Sequence, residues 1–505
     1  MDSGVLRTWM HSCVDAVARH RDRLDDINVF PIPDADTGTN VYVMLTAGTR
    51  AVDGAPQEAD EAAVAHSYSQ GMLTGARGNS GVIVSQYLST LVHTLVEQGG
   101  FAHATPGSLV AALEAASRAA RAAVGQPVEG TVLTVADQTA RAAREASGDR
   151  GSICVAAVLG AREALALTPE QLPVAGAAGV VDAGAAALVL TLEQLAAAMG
   201  AAHDIASLEE VPWTVTPISP APGAASMQGG AYEVMCVTAE AEVIEPESPH
   251  SSVSLRDALV GVGDSVAVSG HGGLWQTHVH TDDPQEVLAL VQGAGTTHAV
   301  VRALAVTDDS PGQEIEIVAL TACPGLGSVM ADAGAVTVVA FSAEAITPLD
   351  VQRLIEGASR PHVAVVAGTP GMQAVAHAAR EECQGVQVSV LASTTEAEVI
   401  SAVTAAALSE GEESSLTAME SAIEATDTTH SSIDALRDDL ERMISVEAQV
   451  ATVILGNAVA SASAQRAVED ARSRFPDLDV HIIPGLQDVP PVIIGVENAH
   501  LDREL

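Results

Sequence analysis

The sequence predicts a multidomain protein: an all-α domain first, then a small α/β domain, then a larger α/β domain with a mostly parallel sheet. Three observations predict it. The chain has 505 residues, too many for a single hydrophobic core. Up to about residue 203, apolar residues recur at helical spacing and no strand-type alternation is present. From Gly229 onward, short β-branched runs alternate with helical segments, the pattern of a sheet with helices on its faces.

Alanine-rich amphipathic segments run roughly over 4–20, 39–52, 59–72, 80–97, 107–124, 131–148, 151–166 and 182–199, separated by Gly, Pro and Asp turns. In the first, Leu6, Trp9, Met10, Cys13 and Val17 share one face; in the fifth, Leu109, Leu113, Ala116 and Ala120 do. Residues 204–228 are rich in proline and small residues and read as a linker. In the middle domain (229–312), "AYEVMCVTAEAEV" and "GLWQTHVHTDD" read as strands, with "SLRDALVGVGDS" and "DPQEVLALVQGAG" as helices. That domain ends near "VTDDSPGQ" (306–313). The last domain (313–505) carries the strand-like runs "EIEIVAL", "VTVVAF", "VAVVAG", "VQVSVLA", "VATVILG" and "VHIIPG", and "SEGEESS" (409–415) reads as an exposed loop.

The net charge is −42, which repels nucleic acid and anionic membranes, so neither is an expected partner. All 23 basic residues are arginine. Without lysine there is no Walker-A loop, no Schiff-base chemistry and no protein kinase of the usual kind. Phosphate chemistry here must rest on metal, arginine and backbone N–H groups. Five scattered cysteines make no disulfide framework. No apolar run reaches the roughly 18–20 residues of a membrane span, and the amphipathic N-terminus lacks the build of a signal peptide. A cytoplasmic protein is expected, without membrane insertion.

"NVFPIPDADTGTN" (28–40) is the first chemical candidate. As an EF-hand it fails, because Gly38, Thr39 and Leu45 stand at the fifth, sixth and twelfth positions. Pro31 and Pro33 argue against the central strand of an aspartyl-phosphate phosphatase. What remains is a rigid loop entering a helix near Thr39–Asn40. Asp34 and Asp36 there can hold Mg²⁺ while free N–H groups face an anion; equally, the stretch can be a helix-capping turn with solvated aspartates. "GARGNSG" (75–81) offers glycines for close approach, Asn79 and Ser80 at a helix start, and Arg77 for a bidentate phosphate contact, or it is a plain glycine-rich turn. "EGTVLTV" (129–135) and "AGVVDAGAAAL" (178–188), with Asp182 and Gly184, are two more turns into helices. An antiparallel bundle that gathers these four starts would form one anion-and-metal pocket.

The middle domain holds a separate signal. His278 and His280 share one face of a strand, and a neighbouring strand could bring Cys236 alongside. One cysteine and two histidines suit Zn²⁺, with His271, Asp282 or water as fourth ligand; two ordinary strand histidines and a buried cysteine fit the sequence as well.

Taken together, "NVFPIPDADTGTN", "GARGNSGVIVSQ", "PVEGTVLTV" and "GVVDAG" resemble the ATP-binding subunit of bacterial fatty acid kinase, and residues 1–200 resemble the nucleotide-binding subunit of dihydroxyacetone kinase. The resemblance covers all three domains in order. It implies an eight-helix antiparallel barrel with ATP at one end and two Mg²⁺ ions bridging the phosphates to Asp34 and Asp36. Asn28 is the counterpart of a further metal aspartate. The implied nucleotide contacts are Thr37, Gly38, Thr39, Asn40, the stretch Arg77, Gly78, Asn79 and Ser80, then Gly130, Thr131, Asp182, Ala183 and Gly184. Ala183 and Ala185–Ala187 make the last loop poorer in glycine than in related chains. The family's Cys…His-x-His pattern implies a structural Zn²⁺ on Cys236, His278 and His280. The third domain departs from the pattern early, reading "FSAEAITP" and "AGTPGM" where related chains carry Gly-Gly-Gln-Thr-like and Asn-Asn turns, and matches it near its end.

The implied activity is transfer of the γ-phosphoryl of ATP to a fatty acid carboxylate presented by a separate fatty-acid-binding protein, giving an acyl phosphate. A kinase for dihydroxyacetone or another small polyol, and a nucleotide-sensing scaffold without catalysis, are the alternatives. A homodimer is one option for its assembly.

Overall fold

The helical spacing of the first two hundred residues becomes a set of helices, each packed on its successor. The computed structural model describes residues 3–56, 58–208, 212–217, 230–239, 252–304, 315–342, 345–358, 360–383, 385–409, 411–459 and 461–499. Two compact units make up the chain: Met1–Gly230 with Val237–His280, and Ala231–Cys236 with Thr281–Leu505.

The first unit begins with α1 (Gly4–Asp26), α2 (Thr37–Asp53), α3 (Glu61–Gly75), α4 (Gly78–Glu97), α5 (Pro106–Ala123), α6 (Val132–Glu145), α7 (Arg150–Gln171), the short α8 (Pro173–Ala178) and α9 (Ala183–Ala196). A π-helical turn (Ala197–Ala201) leads into α10 (Ala202–Ala206). Starts and stops follow local chemistry. Asp60, Thr105, Asp149 and Asp182 each accept a backbone N–H of the helix that follows, and Pro106 occupies a first-turn position where no N–H is needed. Helices α1 to α7 pack in sequence order, α7 packs on α9, and α9 packs back on α1, closing a ring.

The seam of that ring is buried. Trp9 Nε1 donates to the Thr191 carbonyl at 3.4 Å, and Cys13 Sγ lies 3.9 Å from the same oxygen. The scarce aromatics gather here, with Trp9 5.2 Å from Phe101 and 6.3 Å from Tyr68 between ring centroids. Leu6, Trp9, Met10, Cys13 and Val17 are buried, as are Leu109, Leu113, Ala116 and Ala120, so both predicted apolar faces point into this core. Gly38 marks the closest approach of α2 to α1: a Cβ there would lie 2.3 Å from the Arg21 carbonyl oxygen.

By length and composition, α7 and the run Ala183–Ala206 could cross a membrane. Both belong to the ring, and 67% of the apolar window of the second is buried in it, the signature of a core helix. The predicted linker is also partly built in. Trp213 joins the helical core and Thr214 bridges to Val180, while residues 218–228 lie outside the described residues.

Strand β1 (Tyr232–Ala239) begins in the second unit and ends in the first, and its predicted extension to Val243 lies outside the described residues. It is followed by α11 (Ser252–Val260), β2 (Asp264–His271) and β3 (Leu274–Thr281). β2 and β3 form an antiparallel hairpin. β2 replaces the tail of the predicted helix "SLRDALVGVGDS": the glycines at 261 and 263 end α11 and the chain extends.

The second unit continues with α12 (Pro284–Gly293), β4 (His298–Ala303), β5 (Glu316–Thr321), α13 (Leu326–Asp332), β6 (Ala335–Ala340), α14 (Pro348–Glu356), β7 (His362–Ala367), α15 (Pro370–Glu382), β8 (Gln387–Val390), α16 (Glu396–Ala407) and α17 (Glu412–Ala425). Then come β9 (Thr426–Ser431), α18 (Leu436–Met443), β10 (Ala448–Leu455), α19 (Ser461–Arg474), β11 (Asp479–Pro484) and β12 (Val492–Asn498).

Its sheets are mixed rather than mostly parallel. In the order β1-β4-β6-β5-β7-β8, the four strands from β6 to β8 run parallel, whereas β1 and β4 pair antiparallel with their neighbours. A second sheet, β11-β10-β12-β9, has one parallel pair. The predicted loop "SEGEESS" instead starts a helix, since α17 begins at Glu412. At the carboxyl end of β5, the buried Glu396 carboxylate accepts the Thr321 hydroxyl and the Ala322 N–H, both at 2.7 Å. Gly368, at the end of β7, is the space that carboxylate fills: a Cβ there would lie 2.4 Å from it.

Candidate functional site

In a ring whose neighbours alternate in direction, every second helix starts at the same end. The starts of α4, α6 and α9 meet in this way around one open pocket of about 630 Å³. Asn79 and Ser80 line it from α4, Thr131, Val132 and Leu133 from α6, and Asp182 and Gly184 from α9. Phe30 and Pro31 line it from the loop before α2. The start of α2 is tied in by Thr37, whose hydroxyl lies 3.3 Å from that of Ser80.

The loop before α2 is extended and irregular, as two prolines require. Ala35 holds a left-handed φ of 53° between Asp34 and Asp36, which turns the chain sharply between the two carboxylates. Asn28 is buried, and its amide donates to Asp34. Asp36 occupies the N-cap position of α2 but makes no side-chain cap bond. The capping role falls to Asp25 at the end of α1, which accepts the Thr39 N–H at 3.0 Å and the Thr39 hydroxyl at 2.8 Å. Burial raises the Asp25 pKa, while the bonds from Thr39 and Gly38 oppose the rise.

These details redistribute the residues read from the sequence. Thr39 serves the α1–α2 junction, with its N–H and hydroxyl both bound to Asp25. Gly38 serves the same junction through its close approach to Arg21. Asn40 is buried with its side-chain nitrogen close to Gly78, which has a φ of +57°. Arg77 is buried at the N-cap of α4, outside the pocket lining. Gly130 and Ala183 also stand outside that lining, next to Thr131 and Gly184.

The α6 start is braced from beneath. Arg121 bridges Glu129 at 3.0 Å and Asp137 at 2.5 Å; Glu129 accepts the Thr134 hydroxyl at 2.6 Å, and that hydroxyl accepts the Gly130 N–H at 2.9 Å. The Thr134 bond leads the causes that hold the Glu129 carboxyl below its usual range. Asp182 caps α9 through the Ala185 N–H at 2.7 Å, and burial pushes its carboxyl up to about 6. Sequence reasoning missed Asp25, and also Ile83, Val124, Gln126, Val128 and Ser265, which complete the pocket wall. Only Asp25 carried a signal, as an acid shortly before the proline loop.

On the strands, His278 and His280 are buried with their Nε2 atoms 3.0 Å apart. Among the described residues, the ligand atoms of Glu233, His278 and His280 lie within 4.8 Å of one another. Cys236 is not in this group: its Sγ lies 3.9 Å from the Thr296 hydroxyl. The reason is parity. Residues 233 and 236 are three apart on β1, so they point to opposite faces of the sheet. The other expected ligands are placed elsewhere too, with His271 stacked on His93 at 3.7 Å and Asp282 accepting the Ala231 N–H at 2.9 Å. Two imidazoles and a carboxylate are a nitrogen and oxygen donor set that suits Zn²⁺.

Comparison with known proteins places this architecture. Residues 31–197 match the DAK2 domain model, residues 230–302 the FakA-like (fatty acid kinase) middle domain, and residues 427–497 the FakA-like C-terminal domain. A helical domain of this type ahead of α/β domains defines a DAK2-type multidomain protein. Protein YloV of Bacillus subtilis (strain 168) is 33% identical over 297 residues, covering 55% of this chain and 51% of that protein. An uncharacterized protein of Staphylococcus saprophyticus is 28% identical over 295 residues, covering 55% of this chain and 50% of its own. An uncharacterized protein of Staphylococcus aureus (strain USA300) is 35% identical over 172 residues, covering 33% and 30%. The chain spans about half the length of the first two of these relatives. With all three models matched in order, the chain belongs to the FakA-like family of fatty acid kinase proteins.

Proposed function

We propose that the chain is an ATP-dependent phosphotransferase that phosphorylates a fatty acid carboxylate carried by a separate fatty-acid-binding protein. The observation that supports this most is the meeting of the α4, α6 and α9 starts at one pocket, with α2 tied in through Thr37 and Ser80. Helix starts offer N–H donors and a positive dipole end, which suit phosphate oxygens. The apolar side of the same pocket suits a nucleobase.

In this reading the helical region to residue 203 is an eight-helix antiparallel barrel that binds ATP, and the region 313–505 receives the partner. Asp34 and Asp36, with Asn28 beside them, would hold two Mg²⁺ ions, which neutralise phosphate charge when bound. The sharp turn at Ala35 presents the two carboxylates, and their donor chemistry fits a hard cation. Ser80, Thr131 and the α9 start orient the phosphate chain for in-line attack. A carboxylate acceptor is already ionised near neutral pH, so attack needs no general base. Glu233, His278 and His280 would hold a structural Zn²⁺ in the middle region. The cytoplasm is the compartment where such an acceptor and ATP meet.

The test is ATP turnover with Mg²⁺ and oleate, with and without lipid-binding proteins from the same genome. Turnover that requires both lipid and partner is the expected result. Turnover with dihydroxyacetone instead would make the chain a small-polyol kinase, and binding of ATP without turnover of either acceptor would make it a sensor.

A further inference from the structure

The pocket wall contains a residue that does not belong to the helical ring. Ser265 lines it from β2, beyond residue 230, where the middle-domain match begins. Its delivery there is specific. β2 pairs Asp264 with His280 and Ala267 with His278, so three steps on β2 span two on β3. The extra residue makes a β-bulge, and Ser265 within it holds a left-handed φ of 54°. A serine adopts that conformation only at some cost, and bulges of this kind re-aim a side chain away from the strand's alternation.

The bulge is anchored to the ring immediately beside the pocket. The Gly125 N–H donates to the Val266 carbonyl at 2.9 Å, Val124 bridges to Ala267, and Arg256 donates to the Ala122 carbonyl at 2.6 Å. Ser265 therefore sits on the side of Val124 and Gln126. Ile83, Val128 and Leu133 supply the rest of the apolar wall. The Ser80, Thr131 and Asp182 starts supply the polar one.

We propose that Ser265 is a nucleoside-contacting residue: its hydroxyl hydrogen-bonds the base or ribose of the bound nucleotide, so the site is completed by the β2–β3 hairpin and not by the helical domain alone. The inference rests on the nucleotide reading of the pocket. It also explains the strain at Ser265, which places a polar contact on an otherwise apolar wall.

The test uses the full chain with Ser265→Ala and Ser265→Gly, titrated calorimetrically with Mg·ATP and, separately, with Mg²⁺ and inorganic tripolyphosphate. The alanine variant loses the hydroxyl and keeps the strained Cβ; the glycine variant loses both. Both are expected to bind ATP roughly 3- to 10-fold more weakly, the loss of one hydrogen bond, with tripolyphosphate binding unchanged. The glycine variant should melt no lower than wild type. Unchanged ATP affinity in both variants overturns the proposal, as does an equal loss for tripolyphosphate, which would mark a general loosening of the junction. Wild-type protein that binds no ATP would overturn the nucleotide reading itself.

Discussion

Glu396 offers a quantitative test of the second unit. Its carboxyl is fully buried at the end of β5, and burial pushes it up to about 7, against the opposing bonds from Thr321, Ala322 and Cys323. In the unfolded chain a glutamate titrates near about 4.3. The folded state therefore holds this proton more tightly. The resulting stabilisation is fully present below about pH 4.3 and is lost as pH rises through about 7. At about 1.36 kcal/mol per pK unit, the loss between pH 5 and pH 8 is about 2.5 kcal/mol. Glu396→Gln keeps the shape and a hydrogen-bonding capacity but removes the titration.

The measurement is urea unfolding at pH 5 and pH 8, comparing wild type with the variant so that every other titrating group cancels. Trp9, Trp213 and Trp275 all lie in the first unit, so tryptophan fluorescence follows that unit and far-UV circular dichroism is needed for the second. Relative to the glutamine variant, wild type should lose about 2.5 kcal/mol across this pH range. A difference that does not change with pH, or one that grows in favour of wild type as pH rises, would refute the reasoning.

Replacing Asp34 and Asp36 together by alanine should abolish Mg²⁺-dependent nucleotide binding with the helical circular dichroism intact, because neither side chain caps the α2 start; calorimetry that still reads wild-type affinity would remove them from the site. Gly38→Ala should destabilise the helical ring by about 1–3 kcal/mol, the usual range for forcing extra volume into a packed contact, since the contacted atom is backbone; a thermal melt that does not drop would show that α1 and α2 can part freely. Converting His278 and His280 to alanine should remove stoichiometric zinc from the purified chain, and Glu233→Gln should weaken its retention more than Cys236→Ser; elemental analysis finding no zinc in wild type would end that assignment.

What the sequence made legible follows from how local each signal is. Helices of the ring announce themselves through periodic apolar residues and through caps that act within one turn. The helix starts of the pocket were readable for the same reason: Asn79, Ser80, Thr131, Asp182 and Gly184 sit where N-caps and close approaches demand small polar residues. Strands with weak apolar content were not readable. β9 is "TDTTHS", and only its pairing with β12 makes it a strand. Site features that depend on register were hidden as well. Choosing Glu233 over Cys236 requires knowing which face of β1 meets the histidines. Placing Ser265 in the pocket requires knowing that β2 carries an extra residue, which no periodicity in the sequence reveals.

The seam between α1 and α9 also sets an order of events on the ribosome. Trp9 and its hydrogen-bond acceptor Thr191 are 182 residues apart in the chain. During synthesis the apolar face of α1 emerges first and has no permanent partner on that side until α9 has left the exit tunnel. At typical elongation rates of about 5–20 residues per second, that leaves roughly ten to forty seconds with Trp9, Met10 and Cys13 uncovered. The amino-terminal helix is thus the part of this protein most in need of a chaperone, although it is among the best-buried once the ring has closed.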